Sequence, residues 1–118
     1  MFRPTGAAYL LAIERVMLIR RAPGSERDRE ISEALSRWRE RPGRALVFFQ
    51  GPGLAHVRSD SPLAGFAAPD MTLMVCSGGW RRRGHADPGA PFILGSLLQF
   101  WAATVDADEV VAFGAAGS

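Results

Sequence analysis

Residues 71 to 84 read M-T-L-M-V-C-S-G-G-W-R-R-R-G, and this stretch decides how the chain folds. Met71–Cys76 is a short run rich in apolar residues, which is typical of a buried strand. Two glycines follow shortly after it, and three consecutive arginines come next. The pattern predicts a strand whose last residue, Cys76, stands where the chain leaves the sheet.

Three further apolar runs of similar length lie along the chain. Strands are predicted at 15–19, 45–49 and 109–113. The run Ala45–Phe49 is apolar at every position, as strands covered on both faces tend to be. Each run is separated from the next by a helical pattern or by an irregular stretch, so the strands are not simple hairpin partners.

Two segments between the strands have helical periodicity. The first begins near Ser25, which has a capping-box pattern with Asp28, and it stops at Pro42-Gly43. Its apolar residues recur at three- and four-residue spacing. They are Ile31, Ala34, Leu35 and Trp38. The second helix is predicted from Pro91 to about Val105, with an apolar face so wide that it needs cover from the sheet or from a neighbouring subunit. That face comprises Phe92, Ile93, Leu94, Leu97, Leu98, Phe100, Trp101 and Val105.

Strands that alternate with helices and irregular crossovers are typical of an open α/β sheet. We therefore expect one domain over residues 1–118, with a three-layer, open, mostly parallel, flavodoxin-like sheet of four to five strands and flanking helices. Residues 54–70 show no clear period and are predicted to form a loop with at most a short helix. In a parallel sheet the loops at 22–25, 50–53 and 76–79 all leave strand C-termini, so they are expected to converge at one edge.

The composition limits the classes to which the protein can belong. A chain of 118 residues with 47% hydrophobic residues supports one soluble domain, and a net charge of +2 does not require nucleic-acid binding. One cysteine cannot form an internal disulfide, and no clustered zinc ligands are present, so a reducing compartment is expected. The apolar stretch at 7–19 is too short to span a bilayer. We expect a cytoplasmic protein with no cofactor, no metal, no membrane association and no direct contact with nucleic acid.

Cys76 is the candidate nucleophile. If the chain turns into a helix after Val75, the helix N-terminus presents backbone N–H groups and a partial positive charge to the sulfur, and both favour the thiolate. The small residues that follow would keep the approach open. Three positions in the loop after the second strand are expected at the edge of the same crevice, and three arginines could form its positive rim. The residues concerned are Ser77, Gly78, Gly79, Gln50, Gly51, Gly53, Arg81, Arg82 and Arg83.

Other interpretations of these residues stay open. Cys76 could equally be a small core residue, because free cysteine is often buried. The small residues after it could cradle a phosphate, although neither the glycine spacing of a dinucleotide site nor a nucleotide-binding lysine is present. A run of arginines is most often a solvated surface. His56 and His85 lie in polar loops and are interpreted first as surface residues.

The segment Val75–Gly84 resembles the corresponding segment of DsrE and TusD proteins. In that family a cysteine at a strand end is followed by small residues, a bulky apolar residue, an arginine pair and a glycine. Further similarities cover the second strand at 47–50, the helix at 97–103 and the last strand at 107–114. The resemblance extends over roughly residues 15 to 114 and implies a DsrE-like domain.

The resemblance implies a sulfur carrier. Cys76 would take a sulfane sulfur as a persulfide and pass it to an acceptor protein, in tRNA thiolation or in sulfur oxidation. Because the chain has no second thiol, bound sulfur can leave only to an external nucleophile, so donor and acceptor proteins must dock in turn. The family also forms homo-oligomers or hetero-oligomers of related subunits. The alternative is a non-catalytic α/β subunit with a buried cysteine, acting in assembly or small-ligand binding.

Overall fold

The computed structural model describes residues 13–24 and 28–114, and the five strands within these residues form one parallel sheet. The strands are β1 (Ile13–Ile19), β2 (Arg44–Phe49), β3 (Met71–Cys76), β4 (Phe92–Gly95) and β5 (Glu109–Phe113). The helices are α1 (Asp28–Arg39), α2 (Ser77–Arg82) and α3 (Leu97–Asp106), with two 3₁₀ helices at Gly51–His56 and Pro62–Phe66. The open, parallel α/β sheet expected from the sequence is confirmed. The predicted capping residue Ser25 and the apolar residues before Ile13 lie outside the described residues.

The strands are arranged in the order β4-β3-β2-β1-β5. All neighbouring strands pair in parallel, so their C-terminal ends lie at the same side of the sheet. The chain steps outward from β1 to β4 and then returns across the sheet to β5 on the other side of β1. This order differs from the 2-1-3-4-5 order of flavodoxin itself.

Alternation along the strands divides the core between the two faces of the sheet. On one face, Met17, Val47 and Phe49 pack in a cluster that includes the apolar stripe of α1 and residues of both 3₁₀ helices. On the other face, Val16, Leu46 and Phe48 pack against α3, where the rings of Phe48 and Phe100 stack with centroids 4.7 Å apart. The protein is therefore a three-layer sandwich with a sheet in the middle.

The helix predicted from Pro91 to Val105 is wrong in its first half. Phe92–Gly95 forms the edge strand β4, and helix α3 begins only after Ser96. The Ser96 hydroxyl accepts a hydrogen bond from the Gln99 amide at 3.1 Å, and the Gln99 side chain accepts one from the Ser96 amide at 2.7 Å. This reciprocal capping box starts the helix there. Gly95 also packs so closely on Met74 that a Cβ would collide with the methionine sulfur.

The shift in the helix start changes which side chains of α3 face the sheet. Phe100 of the predicted apolar face and Ala103 are buried against it, whereas most other helical members of that face point outward. Leu98, Trp101 and Val105 are 78%, 56% and 80% exposed. Leu97 of the same helix and Ile93 of β4 are also exposed, and we call these five exposed apolar side chains the α3 patch.

Candidate functional site

Cys76 is the last residue of β3 and the N-cap of α2. The chain thus turns from strand into helix at this residue, which is the condition on which the proposed activation of the sulfur depended. The sulfur makes no capping hydrogen bond to the helix, so the expected direct contact between backbone N–H groups and sulfur is not formed. The helix spans only Ser77–Arg82, and it carries arginines rather than acidic residues.

The Cys76 side chain is more enclosed than the sequence suggested. The residue is 7% exposed and packs in the apolar cluster that contains Phe48, Met74 and Phe100. A thiol standing openly at the rim of the sheet is thus not what the structure contains. Cys76 instead borders a pocket at the C-terminal edge of the sheet. A reagent or a partner can reach the sulfur of the folded protein only through this pocket.

The pocket beside Cys76 has a volume of about 220 Å³ and is rich in positive charge. It is lined by Arg20, Gln50, Gly51, Leu54, Cys76, Gly79, Arg82 and Arg83. Three of these described residues are arginines and none is acidic, so the pocket favours anions. Since a water molecule takes up about 30 Å³ in the liquid, a pocket of this size has room for several small molecules or one extra sulfur atom with its solvent.

The structure brings together some of the predicted site residues and separates others. Gln50, Gly51, Gly79, Arg82 and Arg83 line the pocket with Cys76, as the convergence of the loops predicted. Three further predicted residues, Ser77, Gly78 and Arg81, do not line it. Gly53 does not line it either and has a structural role, because a Cβ there would collide with the carbonyl oxygen of Ile19.

Two of the lining glycines are required by the shape of the pocket. Gly51 has a φ of +56°, and a Cβ there would lie 3.0 Å from an Nη atom of Arg20. A Cβ on Gly79 would lie 3.9 Å from the Cys76 sulfur and 3.1 Å from a methyl carbon of Leu54. The absence of a side chain at Gly79 therefore keeps free the space immediately beside the sulfur.

Arg82 borders the same space as the sulfur. Its Nη2 atom lies 3.8 Å from the position that a Gly79 Cβ would take. Because the sulfur lies 3.9 Å from that position, the guanidinium and the sulfur are within about one Debye length of each other, which is about 8 Å at physiological ionic strength. The Arg82 guanidinium can therefore interact favourably with a negatively charged group at the Cys76 sulfur.

Arg20 is a lining residue that the sequence analysis missed. It follows β1 directly, and its backbone amide donates to the carbonyl of Phe113 at 2.8 Å, which anchors the end of β1 against β5. The signal was present, because Arg20 begins the loop that parallel topology places beside Gln50. The charge alone did not single it out among fourteen basic residues.

The two histidines have different environments. His85 is exposed, as expected, and its ring lies 4.3 Å from that of Trp80, whose indole N–H donates to the carbonyl of Ala86 at 2.7 Å. His56 was expected at the surface, and this is wrong. It is 4% exposed, because the first 3₁₀ helix places its ring against Phe49 with centroids 6.2 Å apart.

Among residues 13–24 and 28–114, no group of three or more histidine, cysteine, aspartate or glutamate residues is arranged to hold a metal ion. In the same part of the chain no helix has the length and apolar character needed to cross a membrane. No family model matches the chain, and no curated protein matches it significantly.

Proposed function

We propose that the protein is a sulfur carrier that holds sulfane sulfur as a persulfide on Cys76. The observation that carries the proposal is the pocket in which this single thiol lies beside three arginines and no acidic residue among the described lining residues. Such surroundings suit a sulfur that gains negative charge. The similarity of residues 75–84 to DsrE and TusD proteins points to the same chemistry.

The proposed reaction is an exchange between sulfur atoms with no net oxidation. The Cys76 thiolate attacks the outer sulfur of a donor persulfide, the S–S bond of the donor breaks, and the donor leaves as a thiolate. Cys76 then carries a persulfide whose outer sulfur is released when an acceptor thiolate attacks it. The proton of the Cys76 thiol passes to solvent before the first step. Because no second cysteine exists in the chain, both partners must be external.

The pocket supports the loaded form in two ways. The space kept free by Gly79 begins beside the sulfur, since a Cβ there would lie 3.9 Å from Sγ, and an outer sulfur bonded to Sγ at about 2 Å could point into it. An ionised persulfide is negative at its outer sulfur, and Arg82 lies close enough for a favourable interaction with it. The amide side chain of Gln50 lines the same space and can donate a hydrogen bond.

The α3 patch supports the requirement for partners. Isolated apolar side chains at a surface are ordinary, but four exposed ones on the single helix α3, with Ile93 exposed on β4, are the kind of surface that is covered in an assembly. Leu98, Trp101 and Val105 are spaced as in the seam between two packed helices. We propose that this surface forms the contact in a homo-oligomer or with a related subunit.

Sulfur loading tests the proposal directly. The native protein is incubated with glutathione persulfide, desalted and examined by intact mass spectrometry. We expect one added sulfur atom on the wild-type protein, none on Cys76→Ser, and loss of the added sulfur after free thiol is supplied. A wild-type protein that gains no sulfur, or a Cys76→Ser variant that gains as much, would disprove the proposal.

The second candidate is a structural α/β subunit in which Cys76 is a core residue. Its burial, with 7% of its surface exposed, is the observation that favours this alternative. A core cysteine predicts that neither persulfide nor an alkylating reagent reaches the sulfur until the protein unfolds. It also predicts that Cys76→Ala leaves every activity of the native protein unchanged.

A further inference from the structure

A second cavity at the same edge of the sheet lies apart from Cys76. It has a volume of about 380 Å³, which falls in the range of small-molecule sites. Its apolar wall includes Ile31 and Leu63, and its polar lining comprises Asp28, Ser32, His56 and Arg58. The cavity and the Cys76 pocket are built from the same two segments, the loop after β1 and the first 3₁₀ helix, but none of their described lining residues is shared.

His56 supplies a hydrogen-bond acceptor to this cavity. Its Nε2 atom lies 2.7 Å from the carbonyl oxygen of Arg21, and since a carbonyl only accepts, Nε2 carries the proton. In a neutral ring Nδ1 is then an acceptor, and no described residue donates to it. Burial lowers the pKa of His56, while Asp28 acts in the opposite direction and Arg58 in the same one. The ring is thus neutral at pH 7.

Asp28 supplies a second unused acceptor and a negative charge. One of its oxygens accepts a hydrogen bond from the Gly24 amide at 2.8 Å, whereas Oδ1 is buried with no hydrogen-bond partner. A buried carboxylate oxygen without a donor is costly, so a ligand in the cavity that supplies a donor would be favoured once a small turn of the Asp28 side chain exposes this oxygen. Arg58 also lines the cavity, but its Nε atom donates to Asp60 at 3.1 Å and it makes no hydrogen bond to Oδ1 of Asp28.

We infer that this cavity binds a small organic amine. The ammonium group would donate to the Asp28 carboxylate and to Nδ1 of His56, and its short hydrocarbon part would lie on Ile31 and Leu63. Charge-assisted hydrogen bonds of this kind are stronger than neutral ones, which selects the amine over an alcohol of the same shape. The negative charge of Asp28 disfavours small anions, and Arg58 offsets only part of this repulsion because it is paired with Asp60. This inference does not depend on sulfur transfer at Cys76.

A titration followed by NMR tests the inference. The probe is propylammonium at millimolar concentrations, with 1-propanol and propionate as neutral and anionic controls of similar shape. The readout is the ring Cε1–H signal of His56, and the exposed His85, the other histidine of the chain, serves as the internal reference. We expect propylammonium to shift the His56 signal saturably, with little change at His85 and much weaker effects from both controls.

Variants separate binding in the cavity from general charge attraction. Asp28→Asn keeps an oxygen for the Gly24 amide and removes the charge, so propylammonium should bind about tenfold or more weakly, as expected for loss of one hydrogen bond to a charged group. Ser32→Leu should fill the cavity from α1 and abolish the shift. Cys76→Ser should bind as the wild type does. No saturable shift, propionate binding as well as the amine, or unchanged binding by Asp28→Asn would each overturn the inference.

Discussion

Replacing Arg82 with glutamine should make Cys76 less selective for negatively charged reagents. The substitution removes a positive charge from the pocket and keeps a polar side chain that is still able to occupy the rim. Arg82 and the Cys76 sulfur both lie within 4 Å of the space beside Gly79, at distances of 3.8 and 3.9 Å. A reagent that enters this space therefore passes close to the guanidinium.

These two distances together mean that the guanidinium and the sulfur are at most about 8 Å apart, and this upper limit sets the size of the effect. At about 8 Å two unit charges interact with about 0.5 kcal/mol in water and with about 2 kcal/mol at an effective dielectric constant of 20. Arg82 is exposed, so the lower part of that range applies and salt reduces it further. Since about 1.4 kcal/mol corresponds to a factor of ten in rate, loss of the charge should reduce the preference for an anion about two- to fivefold.

The assay compares the rates at which iodoacetate and iodoacetamide alkylate the native protein. Both reagents need the thiolate, so their rate ratio cancels any change in the amount of thiolate and reports the field in the pocket. Because Cys76 is the only cysteine, every alkylation event occurs at this residue. The matched control is Arg81→Gln, which removes an arginine from the same helix that does not line the pocket.

We expect Arg82→Gln to lower the ratio of iodoacetate to iodoacetamide rates, and the difference should shrink at high salt. Arg81→Gln should change the ratio much less. An equal effect of the two substitutions would mean that only the net charge of the surface matters. No effect of either would contradict the assignment of a positive pocket at Cys76.

Three other predictions concern the glycine, the buried histidine and the α3 patch. Gly79→Ala should slow alkylation of Cys76 several-fold by placing a methyl group 3.9 Å from the sulfur, whereas Gly78→Ala should not; equal rates in both variants would contradict this. Burial holds the pKa of His56 below its ordinary value of 6.5 in the folded protein. As the pH falls, the histidine of the unfolded chain therefore takes up a proton first, and the free energy of unfolding should decrease below about pH 6.5. That slope should be weaker in His56→Gln than in His85→Gln when urea unfolding is measured, and equal slopes would refute the assignment. Trp101→Gln should reduce the oligomer measured by light scattering with little effect on the fold of each subunit, and a monomeric wild-type protein would count against an assembly role for the patch.

The sheet could be predicted from the sequence because most of its strands contain short runs rich in apolar residues. Ala45–Phe49 is bounded by Arg44 and Gln50, and Met71–Cys76 by Asp70 and Ser77, so polar residues mark both ends of each run, and both are strands in the structure. The edge strand β4 was not distinguished from the helix that follows, since Phe92–Gly95 and the start of α3 are both apolar and only Ser96 lies between them. The Ser96 and Gln99 pair was the available signal for the boundary.

The candidate site could be predicted only as far as topology determines it. Parallel strands bring the ends of β1, β2 and β3 together, which is why Gln50 and Gly51 were expected beside Cys76. The exposure of Cys76 depends on how Phe100 of a distant helix packs over the sheet, and no local pattern contains that information. The burial of His56 has the same origin, because polar neighbours in sequence conceal a ring that packs on Phe49.

The reachability of Cys76 in the folded protein is the claim on which the carrier proposal depends. The most direct measurement is the rate of alkylation by iodoacetamide at a series of urea concentrations below the unfolding transition. If the reagent enters through the pocket, the rate should stay nearly constant while the free energy of unfolding falls with urea. A rate that rises in proportion to the unfolded fraction, and is negligible without urea, would show that the sulfur reacts only after unfolding and would contradict the proposed function.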